Sequence, residues 1–410
     1  MIARAWRRAD NAAHGVALDL GLYALSAIFA GITVATSTLA PHRAWGAVAI
    51  WGYAGAALAT LAALRWPGTK IRAAITGLTW AAVALVPIVL QAAQRASGRT
   101  DRAQEEVVVI EQGGQRLLDH GTPYLDRDAI AALPEADRLL GYLPYQPGMA
   151  VFGLPRALAG EVWWTDARIF FAVATAAALL AAAAALPRTP ELLRAMQAVT
   201  VLPLAALTLA TGGDDLPVLA LCLLGLAWAA RDGFGAAGLA IGAAAALKLF
   251  AWPIVLVLGV HALTRQRAGR FAVGALGLPV AVLLPALLLD PGATVENVLR
   301  FPFGQGLVTS PAQSPLPGHL IATLVPGGRA IATALLLAAG AAIAVGLWRR
   351  PPRTAAAASM ICAYGLLAAM LLLPSTRFGY LLYPIAFAVW APALARKSGE
   401  HVPEGVHLKG

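Results

Sequence analysis

The chain has 410 residues, of which 59% are hydrophobic and 13% charged, with a net charge of +10 and a mean hydropathy of +0.70. Soluble domains sit near half apolar and a quarter charged, so no soluble core of this size absorbs so much apolar side chain. Nucleic acid is not indicated either, because the basic residues gather at the ends of apolar runs: Arg4, Arg7 and Arg8; Arg65, Lys70 and Arg72; Arg265, Arg267 and Arg270; Arg349, Arg350 and Arg353; Arg396 and Lys397. That is the distribution of cytoplasmic topology anchors.

The N-terminal stretch is too polar, and the first apolar run too long, for a cleavable signal peptide. Apolar spans are predicted at about 16–38, 45–64 and 72–93, followed by a polar stretch over 94–165. Spans resume at about 166–186, 193–210, 214–230, 235–247, 250–263, 271–289, 328–348, 355–374 and 378–395. Runs of this kind cross a bilayer as helices, and the missing period-2 alternation argues against an outer-membrane barrel. The expected fold class is an all-α polytopic integral membrane protein. Cys222 and Cys362 lie inside apolar runs and carry no disulfide or metal pattern.

The stretch 235–263 reads as one long helix or two short ones. Arg231 and the cluster Arg265, Arg267 and Arg270 both belong in the cytoplasm, with Lys248 and Trp252-Pro253 between them. Two short helices meeting at Lys248 on the opposite side satisfy both ends. The count becomes about twelve spans in a single transmembrane domain over 1–395, with both termini cytoplasmic and a disordered cytoplasmic tail over 396–410. The loops 94–165 and 290–327, the turn "TGGDD" (211–215), Lys248 and "PSTRFGY" (374–380) then face outside and hold nearly every polar group that is not an anchor.

Within "EEVVVIEQGGQRLLDHGTPYLD" (105–126), Val107, Ile110, Gly114, Leu117 and Leu118 share one helical face, and Glu106, Gln112, Gln115, Arg116 and Asp119 lie mostly elsewhere. The pattern predicts an amphipathic interfacial helix, closed by Gly121 and Thr122-Pro123. "EEVVVI" alone also reads as a strand.

"GGQRLLDHGTPYLD" followed by "YLPYQPGMAVFGLP" resembles the first outer loop of the polyprenyl-phosphate-mannose-dependent mannosyltransferases of glycosyltransferase family 87. These include the phosphatidylinositol-mannoside mannosyltransferases and have the GT-C fold. "LTLATGGDDLPVLALCLL" resembles the family's polar turn, and "GAAAALKLFAWPIVLV" its Lys-containing pair of short helices. "RFPFGQGLVTSPAQSPLPG" resembles the second outer loop and "LLPSTRFGYLLYP" the last outer turn. The likeness spans roughly 100 to 390. Two features depart from it: Glu106, with Glu105 beside it, stands where the family usually carries a catalytic Asp, and three spans precede the loop instead of one.

The resemblance implies an inverting hexosyl transfer, most simply of mannose, from a polyprenyl phosphate to a lipid-linked glycan on the outer face. The chemistry agrees: nucleotide sugars are not supplied outside the membrane, a polyprenyl phosphate is already a leaving group, and a hydroxyl acceptor needs a base within hydrogen-bond reach. Glu106 is the candidate base, with Glu105 as fallback; as a plain first-turn carboxylate it would only answer the helix dipole. Glu105 and Glu111 read as solvated, either of them able to be the base instead, and Asp119 as a helix-end residue. Lys248, Arg377 and His319 are candidates to hold the donor phosphate. Each has a plainer reading, as a snorkelling lysine, an interface anchor or a loop residue, and Arg300 is a further loop candidate. Asp214 and Asp215 either bind acceptor or sugar hydroxyls or cap their helix, and a divalent metal on the pair is not expected. Tyr124, Tyr142 and Tyr145 either stack on sugar or belong to an interfacial aromatic belt. No cofactor is expected, and no P-loop, dinucleotide-binding glycine pattern or zinc site is present. A secondary transporter or lipid flippase is the alternative from another class, since Lys248 between two short helices also fits a broken transport helix. Another polyprenyl-phosphate sugar or a protein acceptor is the alternative within the class.

Overall fold

Proline and its missing amide hydrogen set the first architectural feature. The chain is described by a computed structural model at residues 12–66 and 68–395. The anchors Arg4, Arg7, Arg8, Arg396 and Lys397 and the tail 396–410 lie outside the described residues. Helices α1 (Val16–Thr36) and α2 (Ala40–Ala63) form a hairpin, and α3 (Thr69–Ala96) follows with a π-helical turn at Ala81–Leu85. Pro87 cannot donate to the Val83 carbonyl four residues back. The Trp45 indole N–H of α2 donates to that carbonyl at 2.7 Å, so the defect becomes a contact between helices.

The amphipathic helix α4 (Glu105–His120) comes next. Helices α5 (Ala167–Ala184), α6 (Pro190–Thr200), α7 (Pro203–Thr211), α8 (Asp215–Ala230), α9 (Phe234–Leu247), α10 (Trp252–Thr264) and α11 (Ala268–Leu289) follow. After the second long loop come α12 (Pro317–Leu324), α13 (Gly328–Arg349), α14 (Ala355–Leu372) and α15 (Leu382–Leu394). Among the described residues, seven helices are long and apolar enough to cross a membrane: α1, α2, α3, α5, α11, α13 and α14. The predicted span 193–210 is a bent pair, with α6 and α7 meeting at 42°. At the break the Val201 carbonyl accepts from the Tyr53 hydroxyl at 2.8 Å. Helices α8, α9 and α10 and the last helical stretch, 378–394, are apolar but shorter.

The all-helical, multi-span class expected from the sequence is what the chain adopts. Its surface is lipid-like: α13 buries only Gly328 and Ala332, and leaves Leu337 69% and Trp348 88% exposed. So much large apolar surface along one helix is tolerated in lipid and not in water. The predicted pair of short helices also holds. Helix α9 ends at Leu247, Lys248 is extended (φ −151°, ψ 142°), and α10 restarts with Pro253 in its first turn. Small residues let α9 lie along α11, where a Cβ on Gly242 would meet the Gly274 carbonyl oxygen at 2.1 Å.

One expected anchor is a structural residue. Arg65 and Lys70 are exposed, but Arg72 is buried, pairing with Asp19 at 2.6 Å and donating to the His14 carbonyl at 3.1 Å. Arg194 and Gln197 of α6 reach the same Asp19 carboxylate. An aspartate three residues into the first span recruits these partners because a lone buried carboxylate is costly.

Helix α4, which carries the candidate base, is fixed in two ways. Its apolar face rests on the helical turn Pro147–Gly153, with the backbones almost touching. A Cβ on Gly114 would fall 2.3 Å from the Gly153 carbonyl carbon, so neither glycine can be replaced without separating the two elements. Glu111, expected to be solvated, is buried. Arg95 at the end of α3 grips it with two nitrogens, at 3.0 and 2.7 Å, and Arg156 lies at 3.2 Å. Arg95 also reaches Asp166 at 2.5 Å, and Asp166 pairs with Arg168 at 2.8 Å. Burial alone would push the Asp166 carboxyl up; Arg168 and Arg95 outweigh it and hold the group well below its usual range. This network ties α4 to the end of α3 and the start of α5.

Candidate active site

Glu106 stands in the first turn of α4, after Gln104 in the extended N-cap position (φ −78°, ψ 163°). The helical reading of "EEVVVI" prevails over the strand. Carboxylates in the first turn answer the helix dipole, and Gly121 closes the far end in the left-handed region (φ 73°). Glu106 Oε1 forms an ion pair with Nη1 of Arg377, which sits just before α15. Glu106 Oε2 is buried and has no hydrogen-bond partner among the described residues. Burial raises the Glu106 pKa; Arg377 draws it down, the Asp214 carboxylate pushes it up again, and the net shift is upward.

Lys248 does not stand alone in the gap between α9 and α10. Its ammonium donates to Asp214 at 2.7 Å and to Asp215 at 2.6 Å, and the Tyr383 hydroxyl donates to Asp215 at 2.8 Å. The two aspartates were expected at an outward-facing helix head as caps or hydroxyl ligands. Both are buried, and Asp214, at the N-cap of α8, makes no side-chain capping bond. They are counter-ions: a buried ammonium at a helix break needs carboxylates more than the helix needs its caps. Two buried carboxylates already hold its single positive charge, so Lys248 is a weaker phosphate ligand than a free lysine. The rings of Tyr145, Tyr380 and Phe250 surround the ammonium at 5.1, 5.4 and 5.6 Å from their centroids.

Glu106, Arg377 and Lys248 line one cavity with about 1020 Å³ of empty space, its opening to solvent included, and Asp214, Asp215 and Tyr383 lie outside its lining. Glu105, Glu106, Arg377, Lys248, Tyr142 and Tyr145 all face it, with walls from Phe301, Pro302 and 310–312. Tyr142 couples the two long loops. Its ring stacks on Phe301 at 4.1 Å, and its hydroxyl donates to Glu296 at 2.9 Å and accepts from the Leu307 amide at 2.8 Å.

Other predicted residues lie outside the cavity lining. Tyr124 is one step behind it, its hydroxyl donating to the Tyr145 carbonyl at 2.7 Å. His319 hydrogen-bonds through Nδ1 with the Pro374 carbonyl at 3.0 Å and so steadies the turn before Arg377. Arg300 faces Glu296 at 3.5 Å, and Asp119 accepts from Gln115. Sequence reasoning missed the support under Glu106. Gln104 contacts His42 of α2 at 3.1 Å and Thr211 of α7 at 3.1 Å, and its amide donates to the Thr211 carbonyl at 3.0 Å. Nothing in a lone histidine at the head of a span announces that role.

The sequence model of glycosyltransferase family 87 matches residues 142–375, more than half of the chain. The chain belongs to glycosyltransferase family 87. Its long apolar helices make it a multi-pass membrane protein. The family 87 match takes in Tyr142, Tyr145, Asp214, Asp215 and Lys248, and ends two residues short of Arg377. Glu106 lies on its N-terminal side. No curated protein matches the sequence. Two solved structures are similar in fold. ArnT from Cupriavidus metallidurans bound to undecaprenyl phosphate has 18% identity and a TM-score of 0.48. The same protein in the apo state has 19% identity and a TM-score of 0.45. Each alignment covers 77% of this chain, which spans 58% of the ArnT chain.

Proposed function

We propose that this family 87 enzyme is a GT-C-type transferase. It moves a hexose, mannose, from a polyprenyl-phosphate donor to a lipid-linked glycan acceptor on the extracytoplasmic side. Part of this proposal is a topology of about twelve crossings with both termini cytoplasmic, on which the cavity faces that side. Glu106 Oε2 takes the acceptor's hydroxyl proton as the acceptor oxygen attacks the anomeric carbon. The bond from that carbon to the phosphate oxygen breaks, and its electron pair leaves with the phosphate. A single displacement inverts the centre, so a β-linked donor gives an α-linked product. Arg377 supplies the fork that suits a phosphate, Lys248 adds one weaker positive pole, and the rings of Tyr142 and Tyr145 offer stacking faces to a sugar. Glu105, exposed at the cavity mouth, is the fallback base.

The observation that carries this reading is a buried carboxylate oxygen with no partner, in the same cavity as an arginine. A raised pKa with an open lone pair suits a general base. The test is transfer from radiolabelled polyprenyl-phosphate-mannose in membranes carrying the protein, with anomeric analysis of the product. An α-linked mannosylated lipid is expected. Transfer only from another polyprenyl-phosphate sugar corrects the hexose, and no transfer from any such donor overturns the reading.

A further inference from the structure

The cavity contains two cations, Lys248 and Arg377, and they are committed differently. Lys248 is held by two buried carboxylates. Arg377 is held by one, through Nη1 alone, and among the described residues its side chain makes no other hydrogen bond. Its backbone is anchored on both flanks by the second long loop. The Thr376 amide donates to the Ala312 carbonyl at 2.9 Å, the Ser314 amide to the Thr376 carbonyl at 2.9 Å, and the Phe378 amide to Ser314 Oγ at 3.0 Å. Only the long guanidinium arm is free to change partner, and its side chain is 27% exposed. Glu106 cannot follow it, being fixed in the first turn of a helix clamped by Gly114 and Glu111. The pocket of Glu106 is also a poor one for an anion, with one oxygen unpartnered and Asp214 nearby. Arg377 is the main thing holding that charge.

Resting on the donor reading above, we propose that Glu106 and the donor's phosphate compete for Arg377, so that the catalytic base is masked until a polyprenyl phosphate enters and draws the guanidinium away. A phosphate offers two oxygens to the arginine fork, where Glu106 engages one nitrogen. Loss of the guanidinium removes the charge that holds the proton affinity of Glu106 down, so Oε2, the oxygen already without a partner, becomes the stronger base toward an acceptor hydroxyl. Binding is then ordered, donor before acceptor.

The test is a double-mutant cycle on the affinity of the full chain, in nanodiscs, for undecaprenyl phosphate without sugar, measured by calorimetry. Unchanged monodispersity and melting temperature establish that each variant is folded. Glu106→Gln removes the competitor, so binding tightens by on the order of tenfold. Arg377→Gln weakens binding, and adding Glu106→Gln to it changes affinity less than about threefold, because the residue competed for has gone. Glu105→Gln removes a neighbouring charge that does not pair with Arg377 and tightens binding far less than Glu106→Gln. Competition is refuted if Glu106→Gln leaves affinity unchanged or lowers it. It is refuted equally if the gain persists without Arg377, or if Glu105→Gln matches it, since either result is general charge repulsion. Failure of the unsubstituted protein to bind undecaprenyl phosphate removes the donor reading itself. Binding with a flat cycle removes the competition alone.

Discussion

Replacing Lys248 with alanine tests whether that residue is chiefly a counter-ion. Its ammonium lies 2.7 and 2.6 Å from Asp214 and Asp215, all three side chains at most 9% exposed. Removing the lysine leaves two adjacent carboxylates buried at the head of α8 without their cation. Breaking one buried pair costs about 3–5 kcal/mol, most of it the penalty on the charge left behind. At roughly 2 °C per kcal/mol for a large domain, Lys248→Ala lowers the melting temperature by about 6–10 °C. The assay is thermal unfolding of detergent-solubilised protein followed by size-exclusion fluorescence. Adding Asp214→Asn removes one of the stranded charges and recovers part of the loss. A Lys248→Ala protein that melts with the parent refutes the counter-ion role and restores Lys248 as a free phosphate ligand.

The pH dependence follows from Glu106, whose pKa is raised by burial. A base works when deprotonated, so kcat/KM falls as pH drops through a value above the ordinary glutamate range of about 4.3, and Glu106→Gln removes that limb. In the network that ties α4 to α3 and α5, Glu111→Gln leaves Arg95 and Arg156 facing a neutral amide, and stability drops by about 3–5 kcal/mol, read as a lower melting temperature. For sidedness, single cysteines near Gly98 and Gln313 label with an impermeant maleimide from outside, and one near Pro351 labels only after permeabilisation; the reverse pattern moves the cavity to the cytoplasm.

Periodicity and charge were enough for much of the architecture. Apolar runs of membrane length gave the seven long helices among the described residues, and Lys248 with Pro253 marked the break between α9 and α10, because an ion and a missing amide hydrogen both disrupt a helix in lipid. The extent of α4 was legible from its face pattern and from Gly121. The bend between α6 and α7 was missed although Pro203 stood in view, since a proline at a span's middle reads equally as a kink. What the sequence hid were pairings between distant residues. Glu111 looks like any polar helix residue until Arg95, sixteen positions earlier, returns beside it. Arg72 was hidden among basic residues that stay exposed, and only the burial of Asp19 separates it from Arg65 and Lys70. Asp214 and Asp215 carried the strongest local signal for capping, which the demand of Lys248 for counter-ions overrode. Glu106 and Arg377, 271 positions apart, were each singled out, but their pairing belongs to the folded chain alone.

Whether Glu106 is the base for sugar transfer is read most directly from the turnover of Glu106→Gln. Purified protein in nanodiscs is given polyprenyl-phosphate-mannose and the acceptor lipid found for the parent enzyme, with folding checked by its melting temperature. General bases contribute about 10²–10⁴-fold, so kcat falls by at least roughly a hundredfold. Glu105→Gln, the exposed neighbour, loses much less. A Glu106→Gln enzyme that transfers mannose near the parent rate, with Glu105→Gln inactive, contradicts the account and moves the base to Glu105.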